Sequence, residues 1–194
     1  MQGGSVLQRE VVLTGIGGQG VQLAAKTLAM AATAEGRQVM MSSHYGGEMR
    51  GGQTEASVVV SDGQLRPVPI LESTWSAYVM HHRYWPGVAE RLRAGGIAVV
   101  NSSVANEEIT APGVRIVPVA AGEVAVEVGS AMAAGFVLLG AFAAITGLAA
   151  TDSLVEAMRQ LVPPYRTQHL TVNEAALRAG AEVGAGLDPV GAPR

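Results

Sequence analysis

The chain contains no cysteine in 194 residues. Disulfides, thiolate nucleophiles and cysteine-ligated zinc or iron–sulfur clusters are therefore excluded within it. Charge is scarce as well. Asp, Glu, Lys and Arg make up 15% of the residues, and a net charge of -3 leaves no basic footprint for nucleic acid. Lys26 is the only lysine. Aromatics amount to 4%, and three of them, Trp75, Tyr84 and Trp85, flank one Pro-containing stretch, where they read as core packing or as anchors for a partner. The opening "MQGGSVLQRE" lacks the basic and apolar regions of a signal peptide, which sets the expectation of a cytoplasmic protein.

What is abundant is small and apolar. Hydrophobic residues reach 48%, and mean hydropathy is +0.28. This length suits one well-buried domain and is awkward for two. Low charge with high hydropathy predicts that a partner covers part of the surface, because soluble monomers rarely expose large apolar patches. One run, residues 130–150, carries no charge over a length that meets the test for a membrane span. It is mostly Ala and Gly, with no aromatic belt and no basic flank, so the expectation is a buried helix packing closely on a sheet or a second subunit, and no membrane.

The pattern alternates strands and helices. "EVVLTG" (10–15) reads as a buried strand, followed by a helix whose Val21, Ala24, Ala25, Leu28 and Ala32 share one face and which ends at Gly36. Strands follow at 39–43, 54–62, 76–80, 97–103 and 114–120, and the stretch 85–96 predicts a helix with Pro86 in its first turn and glycines at its end. Two helices are expected within 122–148, one from Thr151 to Leu161, and one over 171–183. The fold class is α/β: a three-layer single domain, residues 1–184, with a mostly parallel sheet, a Rossmann-like Gly-rich first turn and a helical C-terminal part. Residues 185–194 read as a flexible tail. The gap between 44 and 84 leaves room for an antiparallel excursion.

The chemistry-bearing feature is "GIGGQG", in which Gly15, Gly17 and Gly20 satisfy G-x-G-x-x-G between a strand and a helix. Glycine permits positive φ and close backbone approach, and a helix N-terminus offers unpaired N–H groups to an anion. The same spacing also suits a purely structural corner. A dinucleotide site further wants an acidic residue ending the second strand. That strand ends "MMSSHYGG", and Glu35 sits before it. A second glycine-rich loop, "YGGEMRGGQ", follows the second strand, where Arg50 could fork onto a phosphate or pair with Glu48. His81 and His82 adjoin a strand end, where alternation would point them to opposite sides, with no carboxylate at ligand spacing, so no metal is expected. Ser102 and Ser103 lack the surroundings of a nucleophile and read as caps of a turn.

Taken together, "GIGGQGV", "YGGEMRGGQTEASVVVSD", "GGIAVVNSS" and "FVLLGAFAAITGL" resemble the gamma subunit of 2-oxoacid:ferredoxin oxidoreductases, from about residue 11 to 181, with details most like the 2-oxoglutarate type. The resemblance implies a non-catalytic subunit of an enzyme that converts a 2-oxoacid, CoA and oxidised ferredoxin into an acyl-CoA, CO2 and reduced ferredoxin. Thiamine diphosphate, magnesium and iron–sulfur clusters would sit on alpha and beta subunits, and in some complexes a delta subunit. This chain would support assembly and handle CoA. By the same resemblance, Gly15, Gly17, Gly18, Gln19 and Gly20 match the first loop, Tyr45, Gly46, Glu48, Arg50, Gly51 and Gly52 the second, and Asn101 the polar end of a later strand. Gly47 stands where proline is common, and the stretch before "FVLLG" lacks the family's usual asparagine. Two other readings stay open: a free-standing NAD- or FAD-binding oxidoreductase domain, and an interaction module whose glycines only shape a corner. The apolar helices also leave room for a homodimer of the isolated chain.

Overall fold

A computed structural model describes residues 7–45, 51–65, 71–104 and 109–188. Its centre is a six-stranded sheet built from β1 (Gln8–Ile16), β2 (Gln38–Tyr45), β3 (Gln53–Ser61), β4 (Thr74–Val79), β5 (Leu92–Asn101) and β6 (Arg115–Val119), in the spatial order β2-β3-β1-β4-β5-β6. The pairs β1–β4, β4–β5 and β5–β6 are parallel, whereas β3 runs antiparallel to both β1 and β2. Five strands thus share one direction and β3 alone is reversed, which places the antiparallel excursion inside the sheet.

Alternation along the strands divides the core. Val11, Leu13, Val58, Tyr78, Ile97 and Val99 face a thick helical layer, while Val12, Ala77, Val79, Ala98 and Val100 face the other way. The thick layer contains α1 (Val21–Ala34), α3 (Ala121–Glu127), α4 (Ala134–Thr146), α5 (Thr151–Leu161) and α6 (Leu170–Ala185). The opposite face has a thinner cover: the short α2 (Trp85–Ala89), through Trp85 and Val88, with the segment from Ile109 to Ile116.

The uncharged stretch resolves into α4, eleven of whose thirteen residues are buried. A helix covered on nearly every side has no polar face to offer. It crosses α6 closely enough that a Cβ at Gly180 would collide with the Val137 carbonyl, and one at Gly140 with that of Leu177. Among the described residues no helix is long and apolar enough to cross a membrane.

One expectation needs correction. The helix read over 85–96 ends at Ala89, and β5 already begins at Leu92. Between Thr74↔Leu92 and Ser76↔Ile97 the register shifts, so residues 93–96 form an extra loop in the strand. Gly95 takes φ +78°, and Gly96 lies against the Trp75 carbonyl where any Cβ would clash. The two glycines therefore shape a bulge rather than stop a helix. The ends of this segment are held by charge: Arg91 pairs with Glu55 on β3 and Arg93 with Glu10 on β1. Near the C-terminal end, the Asp188 carbonyl accepts a 2.6 Å hydrogen bond from Arg115 Nη1 on β6.

Candidate functional site: the glycine turn and the edge around it

β1 is followed by α1 on the thick face, and β4 by α2 on the thin face. Chain direction therefore splits between β1 and β4, and in such sheets the crevice beyond the strands' carboxyl ends is the usual ligand position. The glycine turn occupies that crevice. Gly15 ends the core part of β1, where a Cβ would stand 2.8 Å from Gln19 Oε1 and 2.9 Å from Val21 Cγ2. The missing side chain makes room for the Gln19 carboxamide, whose Oε1 accepts from the Ile16 N–H at 2.8 Å while the Gln19 N–H returns to the Ile16 carbonyl at 3.1 Å. Gln19 thus closes the turn from inside.

Gly18 and Gly20 have φ of +99° and +77°, and a Cβ at either would meet nothing within 4 Å. Space does not require glycine there; the backbone conformation does. Gly20 is the N-cap of α1 and supplies no side-chain cap. The first N–H groups of that helix accordingly keep no partner within the helix, at its partially positive end. No carboxylate occupies its first turn.

The second glycine loop meets the first. Gly17 N–H donates to the Gly52 carbonyl at 2.9 Å, and Ile16 pairs with Gln53 across β1 and β3. Tyr45, at the end of β2, pairs with Thr54. Gly15, Gly17, Gly18, Gln19, Gly20, Tyr45, Gly51 and Gly52 therefore lie at one sheet edge. Gly46, Glu48 and Arg50 lie outside the described residues. Asn101 ends β5 on the same edge, 3% exposed, with its amide held within the chain: Nδ2 donates to the Met80 carbonyl at 3.4 Å and Oδ1 accepts from Ser103 N–H at 3.2 Å.

Several neighbours carry roles that residue spacing did not reveal. Gln22, in the first turn of α1, donates to the Glu55 carbonyl at 2.9 Å and accepts from Ser43 Oγ at 2.6 Å, tying the helix to β2 and β3. Glu55 takes both terminal nitrogens of Arg91, at 2.8 and 2.6 Å, a two-pronged pair whose hydrogen bonding raises the guanidinium pKa. Ser103 reaches a distant helix instead of its own turn: its Oγ accepts from Gly122 N–H at 2.8 Å in the first turn of α3 and donates to Glu123, whose pKa is lowered chiefly by that bond.

The histidine reading is corrected. His81 and His82 do not point to opposite sides; their rings stack at 4.6 Å with planes 24° apart. The strand ends at Val79 and a 3-10 turn starts at His82, so strand alternation no longer applies. His81 Nδ1 accepts from Arg83 N–H at 3.1 Å, and burial, then the proximity of His82 and Arg83, lowers its pKa. His82 Nδ1 and Thr14 Oγ1 are buried without a hydrogen-bond partner among the described residues. Among the described residues, no cluster of three His, Asp or Glu could hold a metal. Glu35, weighed as a ribose ligand, accepts from Ala150 N–H at 2.7 Å at the start of α5. Trp75 and Trp85 are both buried, and Trp85 Nε1 donates to the Thr110 carbonyl.

On its other flank the turn borders a cavity of about 630 Å³, enclosed by the start of α1, the start of α4 and the connection from α5 to α6. Tyr78, fully buried on β4, holds this wall by donating its hydroxyl to the Gly135 carbonyl at 2.9 Å, and burial raises its pKa.

A match to the family described as "Pyruvate ferredoxin/flavodoxin oxidoreductase" spans residues 10–183. Among curated proteins, the chain is 31% identical over 184 residues to the 2-oxoglutarate synthase subunit KorC of Methanothermobacter thermautotrophicus, covering 91% of this chain and 95% of that one. It is 33% identical over 175 residues to the ketoisovalerate oxidoreductase subunit VorA of the same organism, covering 89% of this chain but 35% of that one. Among solved structures, the gamma subunit of a keto/oxoacid ferredoxin oxidoreductase from Geobacter sulfurreducens superposes with a TM-score of 0.78 at 26% identity, over 92% of this chain and 99% of that one. A 2-oxoglutarate:ferredoxin oxidoreductase from Magnetococcus marinus, solved with 2-oxoglutarate, coenzyme A and succinyl-CoA bound, shares the fold at a TM-score of 0.81 and 19% identity, over 96% of this chain and 33% of that one.

Proposed function

The chain belongs to the pyruvate ferredoxin/flavodoxin oxidoreductase family and is a gamma-type subunit of a 2-oxoacid:ferredoxin oxidoreductase; from that premise we propose that its glycine turn holds the diphosphate of coenzyme A for chemistry carried out on partner subunits. The observation that carries this reading is the convergence of Gly17–Gly20 with Gly51 and Gly52 beside an uncapped helix start. Backbone N–H groups around Gly18 and Gly20 suit phosphate oxygens because no side chain stands over them. Arg50 would add a charged fork.

Coenzyme A would supply the thiol that accepts the acyl group. This chain's residues would bind and orient its phosphate end. Thiamine diphosphate, magnesium and iron–sulfur clusters belong, in this reading, to the alpha and beta subunits, with a delta subunit in some assemblies, and ferredoxin reaches the chain only through the complex. The 2-oxoglutarate type is favoured by the KorC relatives. A nicotinamide-binding reading lacks its acidic ribose ligand, since Glu35 is engaged at α5.

Calorimetric titration of the assembled complex with coenzyme A tests the proposal. Arg50→Ala and Gly18→Asp should each weaken binding about tenfold or more, as loss of a charged phosphate contact does. Gly18→Asp also strains the backbone, so Arg50→Ala carries the decision. Unchanged affinity in both variants overturns it.

A further inference from the structure

The cavity on the far flank of the glycine turn has a composition of its own. Its walls are largely apolar, with Leu23 and Phe136 at the back and Leu161, Val162 and Pro163 along one side. Arg166 and His169 are its basic lining groups, and no Asp or Glu lines it. Arg166 makes no ion pair among the described residues. It sits over the Tyr165 ring at 5.6 Å.

The rim is more telling. Among the described residues, Met132 at 91% and Tyr165 at 73% are the most exposed large apolar side chains, and both border this one cavity. A third, Val126 at 63%, lies on α3, which packs against the 131–133 turn carrying Met132. Exposed apolar residues scattered singly need no explanation, whereas a group of them around a recess marks a contact surface. Met, Tyr and Arg are also residue types enriched at protein interfaces.

A small ligand inside the recess would leave Met132 and Tyr165 in water. A protein segment laid across the mouth would cover them. The recess presents positive charge and no negative charge, so the complementary occupant brings a carboxylate. The VorA relative carries a matching domain in a chain about three times as long, so this kind of domain also occurs joined to further oxidoreductase sequence.

We propose that the recess between α1, α4 and the α5–α6 connection, rimmed by Met132 and Tyr165, seats a segment of another subunit of the oxidoreductase that presents an Asp or Glu to Arg166 between apolar side chains. This rests on the chain being a subunit of that complex. Gly18, Gln19 and Gly20 of the glycine turn also line this recess, so the partner segment would lie beside any coenzyme A held there. The apolar rim supplies contact area, and the Arg166–carboxylate pair fixes orientation.

The test uses the intact complex and a reconstitution of this chain with its separately prepared partner subunits. Tyr165→Asp and Arg166→Glu place negative charge at exposed positions, and circular dichroism checks that each chain is folded. Both should weaken association about tenfold or more, the usual scale for a central aromatic or arginine contact. Lys26→Glu, on the exposed side of α1, should leave it unchanged. Lys26 is the only lysine, so Arg166→Lys combined with Lys26→Arg leaves a single side-chain amine for carbodiimide coupling. The expected product joins residue 166 to an acidic residue of a partner subunit.

Three results overturn the inference: wild-type association in both charge variants, coupling of residue 166 only to a second copy of this chain, or coenzyme A rather than a partner protecting residue 166 from coupling. With the wild-type complex still forming, each leaves the subunit assignment intact. Failure of the wild-type chain to associate with any thiamine-dependent partner would overturn both.

Discussion

Adding one methyl group at Gly180 probes the contact that seats the C-terminal helix on the domain. A Cβ there would collide with the Val137 carbonyl oxygen and stand 2.7 Å from the Val137 carbonyl carbon and 2.9 Å from its Cα. All three obstacles are backbone of the buried helix α4, so no rotamer change relieves them and the helices must move apart. Overpacking a well-filled core typically costs about 1–3 kcal/mol, and a rigid backbone obstacle argues for the upper end. Replacing glycine by alanine inside a helix returns about 1 kcal/mol of propensity. The net loss for Gly180→Ala is therefore about 2 kcal/mol, or a fall of roughly 4–8 °C in Tm for a domain of this size. The same substitution at Gly87 is the control. That residue lies in α2, has ordinary φ, and a Cβ would meet nothing within 4 Å. Gly87→Ala should leave Tm unchanged or raise it slightly. Thermal unfolding followed by circular dichroism reads both variants. A Gly180→Ala chain that melts at or above the wild-type temperature would refute the close-crossing argument.

Ser103→Ala removes the hydroxyl that caps α3 and should cost about 1 kcal/mol, seen as a lower Tm, while the Glu123 carboxyl returns toward its ordinary pKa in an NMR titration. His81 has a folded-state pKa below that of the unfolded chain, so unfolding takes up a proton. Its contribution is present above the ordinary imidazole value and is lost as pH falls through it toward the folded value, so His81→Gln should shrink the drop in Tm between about pH 7.5 and 5.5.

Where one physical cause dominated, the sequence was readable. α5 runs from Thr151 to Leu161 as its periodicity predicts, and the apolar face of α1 is the buried one. The glycine spacing correctly placed a turn between β1 and α1. The residues 85–96 misled because two glycines after a short helical run satisfy a helix stop and a strand bulge equally well, and only the carbonyl of Trp75 decides between them. The direction of β3 was left open because strand pairing depends on contacts distant in sequence. The glycine-loop reading left the destination of the Gln19 carboxamide undetermined, and it folds back onto Ile16. Gln22, Arg91 and Ser103 act through partners 19 to 36 positions away, beyond the reach of any local pattern.

The hydrogen bond from Gly17 to Gly52 has a practical consequence for mutagenesis. It splices the bend after the first strand to the start of β3, so Gly17 and Gly52 move as one mechanical piece. Changes made in either will not sum when combined, since the first loosens what the second would have loosened. A double-mutant cycle across this splice should return a coupling energy, and a ligand gripping one segment would stiffen the other.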